Sequence, residues 1–194
     1  MKMKLYKTLR TILGPVMRLL FPISVSGAEN LPEEGAAILC ANHTCLLDPV
    51  MLGIIYRRPV HFMAKEELFK NKILNAFFRT MGAFPVNRGG NDMGAVRESM
   101  KILKEGEILG IFPQGTRAKN GVQPPMLPGC ALIAIRSAAP VYPVLIEKQF
   151  RLFRRTKIFF GPAVDMTGVE KRVDNAALQN VTGRIENAVW SLGK

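Results

Sequence analysis

"AAILCANHTCLLDPVMLGIIY", residues 36–56, passes from a continuous apolar run through a short polar turn into a second apolar run that opens on Asp-Pro. The first run has the length and character of a strand buried on both faces. The second, from about Pro49 to Tyr56, reads as a helix. Proline suits the first helical position, and an aspartate beside it can accept from the free backbone N–H groups there. That accounts for Asp48 and Pro49 but not for Asn42-His43 at the end of the strand. On a continuous helix His43 and Asp48 would point about 140° apart. On a turn that leads into a helix, the imidazole can fold back over the carboxylate. A carboxylate on one ring nitrogen fixes the tautomer and leaves the other nitrogen as a base. Asp48 is therefore expected to be a helix cap, the partner of a catalytic histidine, or both.

The same alternation continues outward from this turn. "SVSGAENLP" (24–32) reads as a short strand and turn, "VHFMAK" (60–65) as a strand, and "KILNAFFRTMG" (72–82) as a helix ended by Gly82. "AFPVNR" (83–88) is a strand. "NDMGAVRESMKILKEG" (91–106) is a helix with Asn91 or Asp92 as its cap and Gly106 as its stop. "EILGIFP" (107–113) is a buried strand, residues 114–129 a long loop, and "CALIAIRSA" (130–138) a helix. "VYPVLIE" (141–147) and "TKIFFGPAV" (156–164) are strands, and a helix closes the chain from about Asp174 to Leu192. Strands alternating with helices predict one α/β domain, residues 23–194, whose mixed, largely parallel sheet is flanked by helices. Ligands in such sheets bind beyond the carboxyl ends of the strands.

The chain carries a net charge of +12, which asks for an anionic partner. Five basic residues and no acid fall in residues 1–28, and five more fall in 148–164, again without an acid. The remainder holds 17 basic and 15 acidic residues, so the excess is confined to two stretches. In the first, Leu5, Leu9, Ile12, Leu13, Val16, Met17 and Leu20 recur at helical spacing with cations between them. That is the pattern of a basic amphipathic helix, residues 1–22, lying on an anionic membrane surface. The second, "KQFRLFRRTKIFF" (148–160), mixes Phe and Leu with Arg. Either stretch can instead be a packing element with a solvated basic face. No module of nucleic-acid recognition is visible. No run approaches the roughly 20 apolar residues of a spanning helix. Arg10 and Arg18 interrupt what would be the apolar core of an export signal, so export is not expected. Cys40, Cys45 and Cys130 read as free thiols, and Cys40, His43 and Cys45 fall short of the four ligands of a structural zinc site.

A base needs something to activate. No G-x-S-x-G elbow is present, and nothing argues that the Cys45 thiol is activated, so the base is expected to act directly on a substrate hydroxyl. Two other strand ends supply cations and amides. "FPVNRGG" places Arg88 beside two glycines, and "FPQGTR" places Gly115, Thr116 and Arg117 after a strand. Arginine at a glycine-rich turn matches phosphate oxygens, and glycine lets the backbone approach.

These blocks together resemble the glycerolipid acyltransferase family that includes 1-acyl-sn-glycerol-3-phosphate acyltransferases. The family's H-x4-D motif matches His43 to Asp48, and its glycine-then-arginine block resembles "GAFPVNR" with Arg88. Its F-P-E-G-T-R block matches "FPQGTR" except at Gln114, and its proline-centred strand resembles "VYPVLI" with Pro143. "MAKEELF" resembles the segment that follows its second strand, with Lys65 as an extra cation. Departures are Gln114 for glutamate, Cys45 where serine is frequent, and Leu127 where a lysine is common. The resemblance implies transfer of an acyl chain from a thioester on coenzyme A or acyl carrier protein to a lysophospholipid hydroxyl, giving phosphatidic acid. His43 and Asp48 would be catalytic, and Lys65, Arg88, Gln114, Gly115, Thr116 and Arg117 would bind the acceptor. A glutamate at 114 could hold an arginine by a charged pair; Gln114 keeps an oxygen acceptor but loses the charge, and the alternative is that residue 114 only shapes the loop. No metal or redox cofactor is implied. The expected place is peripheral, on the cytoplasmic face of the cell membrane. Glycerol 3-phosphate or another lyso-lipid as acceptor, and a catalytically weak lipid-binding protein, remain as alternatives.

Overall fold

A computed structural model describes residues 3–87, 92–118, 122–170 and 172–194. The chain opens with helix α1 (Met3–Leu20) and strand β1 (Ile23–Ser26). β2 (Ala37–Ala41), α2 (Asp48–Ile55), β3 (Val60–Lys65), α3 (Lys72–Thr80) and β4 (Phe84–Val86) follow. Then come α4 (Met93–Lys104), β5 (Ile108–Ile111), α5 (Gly129–Ser137), β6 (Val141–Ile146), β7 (Thr156–Phe160) and α6 (Asn175–Ser191). The seven strands form one sheet in the order β1-β7-β6-β2-β5-β3-β4. The α/β class with a mixed, largely parallel sheet is thus as expected.

β2 lies at the centre and is buried at every residue, because it is covered on both faces. Ile38 and Cys40 point into a core closed by α4, α5 and α6, with Leu103, Ile133 and Ile185 among its members. Ala37, Leu39 and Ala41 point the other way, into a core with Met51 and Leu52 of α2. Alternate residues of one strand thus serve two layers.

Strand direction decides where function sits. β2 is parallel to β5 and β6, and β3 is parallel to β4 and β5. The carboxyl ends of all five lie at one edge. β7 is antiparallel to β6, and β1 is parallel to β7. These two strands therefore start at the edge where the other five end. The reversal brings Leu20, at the end of α1, and the loop between β6 and β7 to that edge.

α1 is tied to the domain along one face. Tyr6 is buried, and its hydroxyl donates to the Gly53 carbonyl at 3.0 Å. Arg10 donates to the carbonyls of Ile54 at 3.3 Å and Arg57 at 2.6 Å, capping the end of α2. The opposite face leaves Ile12, Val16 and Leu19 exposed. Among the described residues no helix is long and apolar enough to cross a membrane.

Gly110 in β5 is required by close approach. A Cβ there would run into the Phe62 ring, which stacks on Phe112 with centroids 5.6 Å apart. Gly110→Ala is expected to destabilise the fold by about 1–3 kcal/mol through this overpacking. Urea unfolding of the variant against the parent chain measures it.

Candidate active site

The turn between β2 and α2 is built around one carboxylate. Asp48 is completely buried. Its Oδ2 accepts from the backbone N–H of Thr44 at 2.5 Å and of Cys45 at 2.8 Å, and meets His43 Nδ1 at 2.7 Å. Its Oδ1 accepts from the Thr44 hydroxyl at 2.8 Å and from the Cys45 thiol at 3.3 Å. A buried charge is tolerated only where donors meet it, and here both oxygens are met. One expectation is corrected. Asp48 does not cap its own helix: it is the first residue of α2, Leu47 holds the cap position, and no side chain there bonds the helix. From the first helical position the carboxylate reaches back over the turn rather than forward.

His43 is pinned by its backbone as well as by its ring. Its N–H donates to Gln114 Oε1 at 2.7 Å, and its carbonyl accepts from Ala118 N–H at 2.9 Å. Phe112 stacks on the imidazole with centroids 4.3 Å apart, and Phe62 backs Phe112. The preceding Asn42 pairs with β6 in both directions, donating to the Ile146 carbonyl at 2.9 Å and accepting from its N–H at 2.7 Å. The ring nitrogen that does not face Asp48, Nε2, is left for proton transfer.

Of the two roles open to Gln114, its contacts favour shaping the loop. It is buried, and all of its bonds run inward. Oε1 takes the His43 N–H, while Nε2 donates to Gln123 Oε1 at 2.9 Å and to the Pro124 carbonyl at 3.1 Å. The amide orientation is chemically forced, because His43 N–H can only donate and Pro124 C=O can only accept. Gln114 therefore ties the long loop to the histidine and does not hold Arg117, whose guanidinium has no partner among the described residues.

The remaining expected residues fall along the same edge. Gly115 takes φ 65°, the left-handed region, in the turn after β5. Thr116 and Arg117 follow it and are exposed. Lys65 ends β3 and pairs with Glu67 at 2.7 Å. Arg88 lies outside the described residues, as does Asn91; Asp92 caps α4 by accepting from Ala95 N–H at 2.9 Å. Burial, and after it the Asp48 charge, pushes the Cys45 thiol up from its ordinary value, so Cys45 is no thiolate nucleophile. Cys40 sits on the opposite face of the sheet, where its contact with Cys130 and its burial hold its thiol well up. Thr44, Phe62 and Gly110 are part of the site and carry no motif of their own. Phe112 opens the "FPQGTR" block, and its place in that block is the local signal for a ring beside His43.

A family described as Acyltransferase matches residues 22–147, which spans all of these positions. The chain belongs to the acyltransferase family. A protein of Bacillus subtilis (strain 168) named 1-acyl-sn-glycerol-3-phosphate acyltransferase is 36% identical over 144 residues, 74% of this chain and 71% of its own length. A Borreliella burgdorferi protein of the same name is 30% identical over 139 residues, 71% of this chain and 56% of its own. The crystal structure of the 1-acyl-sn-glycerophosphate acyltransferase PlsC from Thermotoga maritima superposes with a TM-score of 0.73 at 25% identity, covering 96% of this chain and 79% of that one.

In this acyltransferase a glutamate at position 114 would place a second oxygen against the Pro124 carbonyl. Gln114→Glu is therefore expected to lower stability by about 1–3 kcal/mol, the cost of a buried acceptor left without a donor. It should also lower kcat while leaving the KM values of donor and acceptor nearly alike to the parent's. Thermal unfolding and steady-state kinetics check both. A change confined to acceptor KM would return Gln114 to the acceptor site.

Proposed function

We propose that this acyltransferase moves a fatty acyl chain from an acyl thioester, on coenzyme A or acyl carrier protein, to the free hydroxyl of 1-acyl-glycerol 3-phosphate. The product is phosphatidic acid, made for phospholipid biosynthesis. The observation that carries the reading is the 2.7 Å contact between His43 Nδ1 and a fully buried Asp48 at the carboxyl edge of the sheet. The names of the relatives supply the acceptor.

The steps follow from proton and charge balance. His43 Nε2 accepts the hydroxyl proton as the acceptor oxygen attacks the thioester carbonyl. Asp48 stabilises the imidazolium that results, and the Phe112 face over the ring favours the cation further. The tetrahedral oxyanion collapses, the carbon–sulfur bond breaks, and His43 returns its proton to the leaving sulfur. The transfer is redox-neutral, and a positioned base suffices to move its proton, so no cofactor enters the proposal. Arg117 and Arg88, with Lys65, supply positive charge for the acceptor phosphate, and Gly115 allows the backbone to approach it. The membrane surface is the natural place for such an acceptor, and the protein is read as peripheral on the cytoplasmic face. The exposed apolar residues of α1 and its cations, Lys7 and Arg18 among them, support this.

His43→Ala should lower transfer by about 10²–10⁴-fold, the usual contribution of a positioned base. Asp48→Asn should also be severe, because an amide keeps the size but loses the charge that stabilises the imidazolium. Thiol release on mixing donor with a panel of phosphorylated and unphosphorylated acceptors is the measurement. Arg117→Ala should raise the KM of the phosphorylated acceptor more than that of the donor. A donor-only effect would assign Arg117 to the thioester carrier, and no thiol release with any acceptor would leave a lipid-binding protein.

A further inference from the structure

The chemistry above makes no use of the loop between β6 and β7. Its tip is a tight turn closed by a bridge between Arg151 and Arg154. The two residues at the tip, Leu152 and Phe153, are 57% and 72% exposed. Phe153 takes φ 56°, in the left-handed region where a bulky side chain is strained and glycine is favoured. The strain is maintained by the surroundings. Phe153 N–H donates to the Leu20 carbonyl at the end of α1 at 2.7 Å, and Phe150 is buried in the core shared with α2. The chain thus holds an unfavourable backbone in order to present two large apolar side chains to solvent.

The loop carries four cations against one acid, Glu147 at its base, which pairs with Lys148 at 3.9 Å. Arg151, Arg154 and Arg155 belong to the loop, and no acid occurs between Glu147 and Asp165. Arg155 and Arg18 line a common open depression of about 440 Å³. The tip also sits at the catalytic edge of the sheet. The Gln149 amide lies 3.5 Å from the Thr44 carbonyl, so the loop rests against the His43 turn itself.

We propose that the Arg151–Arg155 tip is a membrane-insertion element that sets the catalytic edge on an anionic phospholipid bilayer. Leu152 and Phe153 enter the acyl layer, and Arg18, Arg154 and Arg155 remain among the headgroup phosphates. Complementary charge selects this occupant: an apolar tip flanked by Arg151, Arg154 and Arg155 matches an anionic surface over an apolar interior. The proposal rests on the reading above that the acceptor is a membrane lipid.

Phe153→Gly separates insertion from folding, because glycine relieves the strained φ. The variant should unfold at a temperature equal to or above the parent's. It should bind vesicles of phosphatidylglycerol and phosphatidylcholine at least about tenfold more weakly, since burying one aromatic side chain is worth that much or more. Transfer to a vesicle-borne acceptor should fall in step, while transfer to a short-chain soluble acceptor stays unchanged. In a Trp190→Phe background, Phe153→Trp should be quenched by brominated lipids. Parent-like vesicle binding by Phe153→Gly, or an unquenched tryptophan, would overturn the proposal. So would a lipid-free dimer that Phe153→Gly dissolves, which would give the tip to a second copy of the chain. If no acceptor supports transfer while binding and quenching behave as stated, the functional reading fails and the insertion element stands. If short-chain transfer proceeds without quenching, the reverse holds.

Discussion

The Asp48 carboxylate is the constraint from which the site is built. It is buried, no arginine or lysine among the described residues pairs with it, and its charge is met by donors that the chain must bring within reach. Two of those donors are consecutive backbone N–H groups, at Thr44 and Cys45. They can converge on one oxygen only if the chain curls around it. The curl fixes the entry of α2 and the position of His43, and it leaves the imidazole against the remaining lone pairs. Losing any one donor would leave a buried charge short of a hydrogen bond, which is why Thr44 and Cys45 matter to the turn.

The curl is clamped from both neighbouring strands. Asn42 mimics a strand residue towards β6, and Gln114 and Ala118 reach His43 from the segment after β5. The proposed base thus takes its position from backbone atoms held on two sides. Positioning of this kind lowers the reorganisation needed at the moment of proton transfer. Strand polarity supplies the rest of the assembly. Five parallel ends put the histidine turn, Lys65 and the Gly115–Arg117 turn along one edge, and the two reversed strands add the end of α1 and the loop after β6.

Much of this was legible in the residue pattern, and the boundary is a physical one. The strand and helix succession was readable because apolar periodicity is a local property, as in the double burial of residues 37–41 and the Asp92 cap. The His43–Asp48 pair was legible as a possibility, because spacing across a turn permits it. Which way Gln114 turns was not legible, since its partners His43 and Pro124 are 71 and 10 residues away and no local rule connects them. The choice between cap and histidine partner for Asp48 stayed open in the sequence because one residue of register separates a side chain that reaches forward from one that reaches back. The Gly110–Phe62–Phe112 stack under the imidazole depends on three strand segments meeting, so it is invisible before the sheet order is known. The reversal of β7 is likewise a tertiary fact.

The substrate's own chemistry bears on the last element. A lysophospholipid has a hydroxyl and a phosphate within a few bonds of each other and a chain that prefers lipid. An enzyme standing off from the bilayer would have to extract that chain and bury it, which costs about 0.8 kcal/mol for each CH₂ it fails to shelter. An enzyme whose catalytic edge lies on the bilayer needs only to meet the headgroup at its own depth. Exposed Thr116 and Arg117, which would be a poor enclosure in water, are then placed where headgroups arrive. Were Leu152 and Phe153 in the acyl layer as proposed, the short link from Gln149 to Thr44 would keep His43 close to the level of the phosphates. On the proposed placement, the strained turn at Phe153 and the exposed Thr116 and Arg117 would belong to one arrangement, in which the bilayer itself closes over the phosphate side of the site.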